Sequence, residues 1–228
     1  MSVLLEVLVF RNRSLGVLAP RAILIACLAI TSVSISSAAE DAQAPAASPA
    51  GPLPEMAMGK ADAPVTIVEY SSLSCPHCAA FHKDVFPALK SQYIDTGKVR
   101  FVMREFPLNE PALGGAVIAR CLEPSRYFAF TGLLFAKQED WAFQKDAFTP
   151  LKALAKQAGM TGEEFDKCIN NDGLQQKILA VRDEGQKKGV NATPSFFVNG
   201  KLLKGAPTLE AFEEAMKPYL NTQQGAAK

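Results

Sequence analysis

The stretch that most constrains this chain runs from Val65 to Cys78. Val65-Thr-Ile-Val68 is apolar and β-branched, which predicts a buried strand over 65–71. A short serine-rich turn follows, and Cys75-Pro76-His77-Cys78 then opens a helix. Two thiols at that spacing can close a small disulfide ring. At a helix start, first-turn N–H groups and the positive end of the macrodipole favour the thiolate over the thiol. Pro76 suits a first turn, where its missing N–H costs nothing. His77, when protonated, adds a donor and a charge beside the sulfur. Cys75 is expected to be the exposed thiol, with Cys78 one turn in and behind it. A stabilised Cys75 thiolate stabilises the reduced form, so the pair reads as an oxidising site for thiol–disulfide exchange.

Zinc is the other reading of Cys-x-x-Cys, with His82 as a third candidate ligand beside Cys75 and Cys78. It lacks a second Cys-x-x-Cys, and His77 and His82 are the only histidines. No metal is therefore expected. His82, seven residues after Cys75, falls near the same helix face and reads as an ordinary half-exposed residue.

The helix beginning at Cys75 should reach about Tyr93, kinked or broken at Pro87 and ended by Gly97. Val99–Phe106 is the next strand, so strand, helix and strand form a βαβ unit with a parallel pair. Residues 107–190 change character. Pro111, Pro124 and Thr149-Pro150 mark helix starts, and Thr161-Gly-Glu-Glu164 is a capping box for a helix through Ile169. Asp172 is the expected cap of a long helix from Leu174 to Lys188, closed by Gly189. Four or five successive helices without a strand read as an inserted helical domain. Ser195–Val198, Asn199-Gly200 and Lys201–Lys204 then make a hairpin. Thr208 caps a final helix over 209–220, and 221–228 is a frayed tail.

Residues 1–39 have the order of a secretory signal peptide. Arg11, Arg13 and Arg21 precede the apolar run Ala22–Ile30, and small residues end at Ser37-Ala38-Ala39. Cleavage is expected after Ala38 or Ala39, the alternative being an uncleaved anchor. Residues 40–55 are an Ala/Pro-rich leader. Loss of Cys27 with the signal leaves Cys75, Cys78, Cys121 and Cys168, an even count suited to an oxidising compartment such as a bacterial periplasm. A net charge of +1 gives no basic footprint for nucleic acid.

These residues resemble the thioredoxin superfamily, and its DsbA-like thiol oxidases in particular. The resemblance rests on Ala63-Pro-Val-Thr-Ile-Val-Glu-Tyr-Ser leading to Cys-Pro-His-Cys, the helical insertion, and Thr193-Pro194 before a hairpin and helix. It implies an α/β thioredoxin fold, discontinuous over 56–106 and 191–220, with an all-helical insertion over 107–190. It also implies that Cys75 and Cys78 form the redox-active disulfide, and that Pro194 is a cis-proline opposite it. Thr193, which stands where some members have valine, would offer its backbone to an extended substrate strand. Glu69 matches the family's buried acid, with a raised pKa and a proton-relay role towards Cys78; otherwise it is a strand carboxylate facing water. Cys121 and Cys168 match the second, structural disulfide of some α-proteobacterial members; otherwise they are buried thiols.

The implied function is a periplasmic disulfide donor to unfolded or reduced exported proteins. No cofactor is expected, and a membrane DsbB-like, quinone-linked protein would take the electrons. The protein is expected to be a monomer. The competing functions are a disulfide isomerase or reductase, a dedicated partner for one exported pathway, and a redox-independent holdase using the groove beside Pro194.

Overall fold

The computed structural model describes residues 52–224, with side chains to Leu220. The expected signal peptide, most of the leader and the last four residues of the tail lie outside the described residues. Strand β2, Val65–Ser71, is central because it pairs on both edges. On one side it runs parallel to β3, Val99–Glu105, and on the other antiparallel to β4, Ser195–Val198. Antiparallel strands complete the five-stranded sheet, β1 (Met56–Met58) outside β3 and β5 (Lys201–Leu202) outside β4. The Asn199-Gly200 turn between β4 and β5 has positive φ at both residues, as a tight hairpin turn requires.

The helix after β2 is broken where Pro87 removes a backbone donor. Pro76–Asp84 forms α1, Phe86–Leu89 forms α2, and a π-helical turn, Lys90–Ile94, closes the segment. Phe81 of α1 packs on Phe196 of β4 and on Phe212 of the last helix, α9 (Leu209–Gln224). That helix runs beyond the expected residue 220, so the first four residues of the predicted tail are helical.

Between β3 and β4 the chain is helical. Its helices are α3 (Glu110–Cys121), α4 (Tyr127–Ala136), α5 (Gln138–Trp141), α6 (Phe148–Gln157), α7 (Gly162–Ile169) and α8 (Asp172–Lys187). The Thr161/Glu164 capping box is complete at the start of α7. Helix α8 is capped by Asn171 and not by the expected Asp172: its side chain accepts from Leu174 N–H at 3.0 Å. The short α5 was not foreseen, because four residues carry no readable period.

The face of β2 carrying Val65, Ile67 and Glu69 joins the main core, which continues through Val117, Tyr127, Leu134 and Trp141 of the insertion. On the opposite face Tyr70 packs edge-on to Phe106 and Phe197. Helix α8 covers Tyr70 at Gly185, where a Cβ would stand 2.7 Å from the ring. The result is an α/β fold with helices on both sheet faces and a helical insertion, as the resemblance implied.

Candidate active site

Cys75 occupies the N-cap of α1 in extended backbone geometry, with Pro76 as the first helical residue. Four contacts hold the turn that presents it. Cys75 N–H donates to Ser72 O at 3.0 Å, and the Ser72 and Ser74 hydroxyls lie 3.3 Å apart. From α5 the buried Gln138 donates its Nε2 to Leu73 O at 2.8 Å and to Cys75 O at 3.1 Å. Gln138 went unnoticed in the sequence, where nothing marks a lone glutamine as the anchor of a turn 63 residues earlier.

Cys75 is not the exposed thiol that its position suggests: it is 5% accessible. The chain returns over it 118 residues later, and Cys75 Sγ donates to Thr193 O at 3.2 Å. The Thr193–Pro194 peptide is cis. Beside it opens a groove of about 350 Å³ lined by His77, Phe81, Asp84, Thr193, Pro194 and Pro207, among others.

The two sulfurs are held at opposite acidities. Cys75 is lowered from 9.0 to about 5, chiefly by the Cys78 thiol donating to it. The backbone N–H groups of Cys78 and His77 add to this, while burial opposes it. Cys78, with no exposed surface, is pushed up by burial first, then by its bond to Cys75 and by the negative charge of Glu69. His77 brings its backbone N–H to the sulfur, and its exposed side chain lines the groove.

Glu69 is fully buried on β2, between Met103 and Phe196 of the neighbouring strands. It does not face water. Its Oε2 lies 2.8 Å from His82 Nε2, whereas Oε1 is buried without a hydrogen-bond partner. His82 is half-buried as a residue, as expected, but departs from its expected ordinary role by bonding Glu69. Its side chain is 7% accessible and stacks on Phe135 of α4, ring centroids 4.3 Å apart. Its place near the cysteine face of α1 was the one sequence signal; the covering ring belongs to another element. Among the described residues no group of three His, Cys, Asp or Glu side chains gathers as a metal site.

Away from the site, Cys121 at the end of α3 and Cys168 in α7 are disulfide-bonded, Cα atoms 6.3 Å apart. Elsewhere, Glu105 of β3 forms a buried ion pair with Arg120 and accepts from Tyr127 Oη at 2.8 Å. Burial, together with the charge of Glu105, holds the Tyr127 phenol well above its ordinary range.

The model of the family described as Thioredoxin matches residues 53–218. A Rickettsia typhi protein named as a protein-disulfide oxidoreductase is 36% identical over 148 residues. That alignment covers 64% of this chain and 55% of the relative, so the chain spans little more than half that protein's length. Disulfide bond formation protein D of Bacillus subtilis is 29% identical over 170 residues, covering 72% of this chain and 76% of its own. The crystal structure of Wolbachia pipientis alpha-DsbA1 superposes with a TM-score of 0.71 at 30% identity, covering 78% of this chain and 96% of that one. The chain belongs to the thioredoxin family, in its DsbA-like branch.

Proposed function

We propose that this protein is a thiol:disulfide oxidoreductase that donates the Cys75–Cys78 disulfide to reduced proteins exported to the bacterial periplasm. The observation that carries the reading is the placement of Cys75 at the start of α1 against Thr193, with Cys78 buried one turn behind it, an arrangement that lowers the first thiol and pushes up the second. A thiolate on the substrate attacks Cys75 Sγ. The Cys75–Cys78 bond breaks, a mixed disulfide forms, and the bonding electron pair leaves on Cys78, which takes up a proton. A second substrate thiolate then attacks the substrate sulfur of the mixed disulfide. Cys75 departs as its stabilised thiolate, and the substrate leaves oxidised. The lower the leaving thiol's pKa, the faster it leaves, which drives donation.

The other residues take roles consistent with this cycle. Pro76 and the His77 N–H shape the helix end at the sulfur. Thr193 and Pro194, at the edge of the groove, pair with an extended substrate segment. Glu69 exchanges the proton of Cys78. Cys121–Cys168 is a structural brace within the 107–190 insertion, while 56–106 and 191–220 form the discontinuous redox domain. A membrane DsbB-like, quinone-linked protein reoxidises the site, and no cofactor takes part. The periplasmic placement and the monomeric state rest on the N-terminal Arg-then-apolar order and on the family.

Oxidation of a reduced, unfolded secretory protein tests the reading. Wild type oxidises it at substoichiometric levels when an electron acceptor is supplied, and Cys75→Ser does not. If Cys75→Ser suppresses aggregation as well as wild type and neither oxidises substrate, the protein is a holdase. If wild type only rearranges existing disulfides or reduces them, it is an isomerase or reductase.

A further inference from the structure

The exchange proposed above leaves a proton problem, on which this inference rests. When the disulfide opens, Cys78 becomes a thiolate in a site with no exposed surface, and an unpaired charge there is costly. The proton cannot come directly from water. Glu69 is near enough to bear on Cys78 electrostatically, and its buried Oε1 has no hydrogen-bond partner. Glu69 is itself fully buried, so it needs its own route to solvent. Its other oxygen is held by His82 Nε2 at 2.8 Å.

His82 lines a cavity of about 620 Å³ with Phe86, Phe128, Phe135, Lys83 and Glu139. This cavity is on the other side of α1 from the substrate groove. At about 100° per residue, His77, Phe81 and Asp84 fall together on one helix face, facing Thr193 and Pro194. Ala79, His82 and Lys83 fall on the opposite face. The charged groups about His82 are few: Glu69 from β2, Lys83 on its own helix and Glu139 from α5. Helices α2 and α4 present Phe86, Phe128, Thr131 and Phe135. An imidazole between a buried carboxylate and an open cavity can pass a proton from one to the other without leaving its place.

We infer that His82 is the port through which the proton of Cys78 passes to and from solvent by way of Glu69, on the face of α1 away from the substrate groove. As the disulfide opens, the Glu69–His82 pair gives one proton to the departing Cys78 sulfur and is left with Glu69 ionised and His82 neutral. His82 then takes a proton from water in the cavity. Reoxidation runs the same transfers backwards. Proton exchange is thereby independent of whether a polypeptide covers the groove. His82 acts through Glu69 and is a positioning and relay residue.

The test is the rate at which dithiothreitol reduces the oxidised full-length protein, followed by acid quench and thiol labelling from pH 5 to 9. His82→Gln keeps a hydrogen bond to Glu69 but cannot titrate. It is expected to slow reduction by about 10²-fold, the scale of a lost general acid, and to flatten the pH profile relative to wild type. In His82→Ala the vacated space adjoins the cavity. Added imidazoles are expected to restore the rate in order of their basicity, while the similarly shaped, weakly basic thiazole does not. If thiazole rescues as well as imidazole, His82 is only packing and the inference falls. If His82→Ala does not fold, His82→Gln decides alone: an unchanged rate and pH profile overturn the relay while leaving the disulfide-exchange reading intact. A wild-type Cys75–Cys78 pair that exchanges with no thiol overturns both.

Discussion

Cys75 carries a stability signature that its pKa makes calculable. Its folded value is about 5 against an ordinary 9.0, so in the reduced protein folding favours the ionised form. The contribution is complete above pH 9.0, shrinks as pH falls through the window, and is gone below about 5. Across that window each pH unit is worth about 1.4 kcal/mol, which gives ~2.7 kcal/mol at pH 7. Screening at the helix end trims this to about 2 kcal/mol. The comparison is reduced wild type against reduced Cys75→Ser, whose hydroxyl does not ionise. Both are unfolded in urea at half-unit steps from pH 4 to 9 in the same phosphine reductant. Effects of titrating groups other than Cys78, whose thiol is coupled to Cys75 and stays protonated below pH 8, cancel in the difference, as does reduction of Cys121–Cys168. Wild type should gain on the variant by about 1 kcal/mol per pH unit above 5, with a Tm advantage of several degrees at pH 7. A difference that stays flat from pH 5 to 8 and rises only near 9 would refute the depressed thiol and the leaving-group argument built on it.

Three other perturbations have expected outcomes. Gln138→Leu removes both donors to Leu73 O and Cys75 O, and leaving buried carbonyls unpaired should cost about 1–3 kcal/mol in urea unfolding; no loss would show that the turn holds itself. Gly185→Ala puts a methyl 2.7 Å from Tyr70, which is pinned between Phe106 and Phe197, and overpacking there should cost about 1–3 kcal/mol. A neutral result would mean that α8 slides freely over the sheet. Replacing both Cys121 and Cys168 by Ala opens a loop of 47 residues and should destabilise by roughly 4 kcal/mol on the chain-entropy model, with the dithiothreitol reduction rate of Cys75–Cys78 little changed. A large change in that rate would make the second disulfide part of the redox site.

What the sequence made legible was local. The strand, the Cys-Pro-His-Cys turn and the helix start lie within fourteen consecutive positions, each enforced by its neighbours. The same holds for the Thr161 capping box, the Asn199-Gly200 hairpin and the break at Pro87. What stayed hidden depends on chain returning from far away. Cys75 is covered by Thr193, and His82 by Phe135 of α4, so neither burial could be read from α1 alone. Strand β1 has three residues and owes its existence to the open edge of β3. At α8, Asn171 and Asp172 are both good caps, and one residue of register decided between them. His77 misled for a different reason. Its neighbour in sequence is the reactive sulfur, but its backbone N–H is what meets that sulfur, while its exposed side chain lines the groove beside Thr193 and Pro194.

The measurement that bears most directly on disulfide donation is the equilibrium of Cys75–Cys78 with a graded series of glutathione buffers. If the stabilised Cys75 thiolate governs the site, the potential lies near the oxidising end, on the order of −120 mV as for DsbA. A potential near −270 mV, that of thioredoxin, would contradict the account and make the protein a reductase.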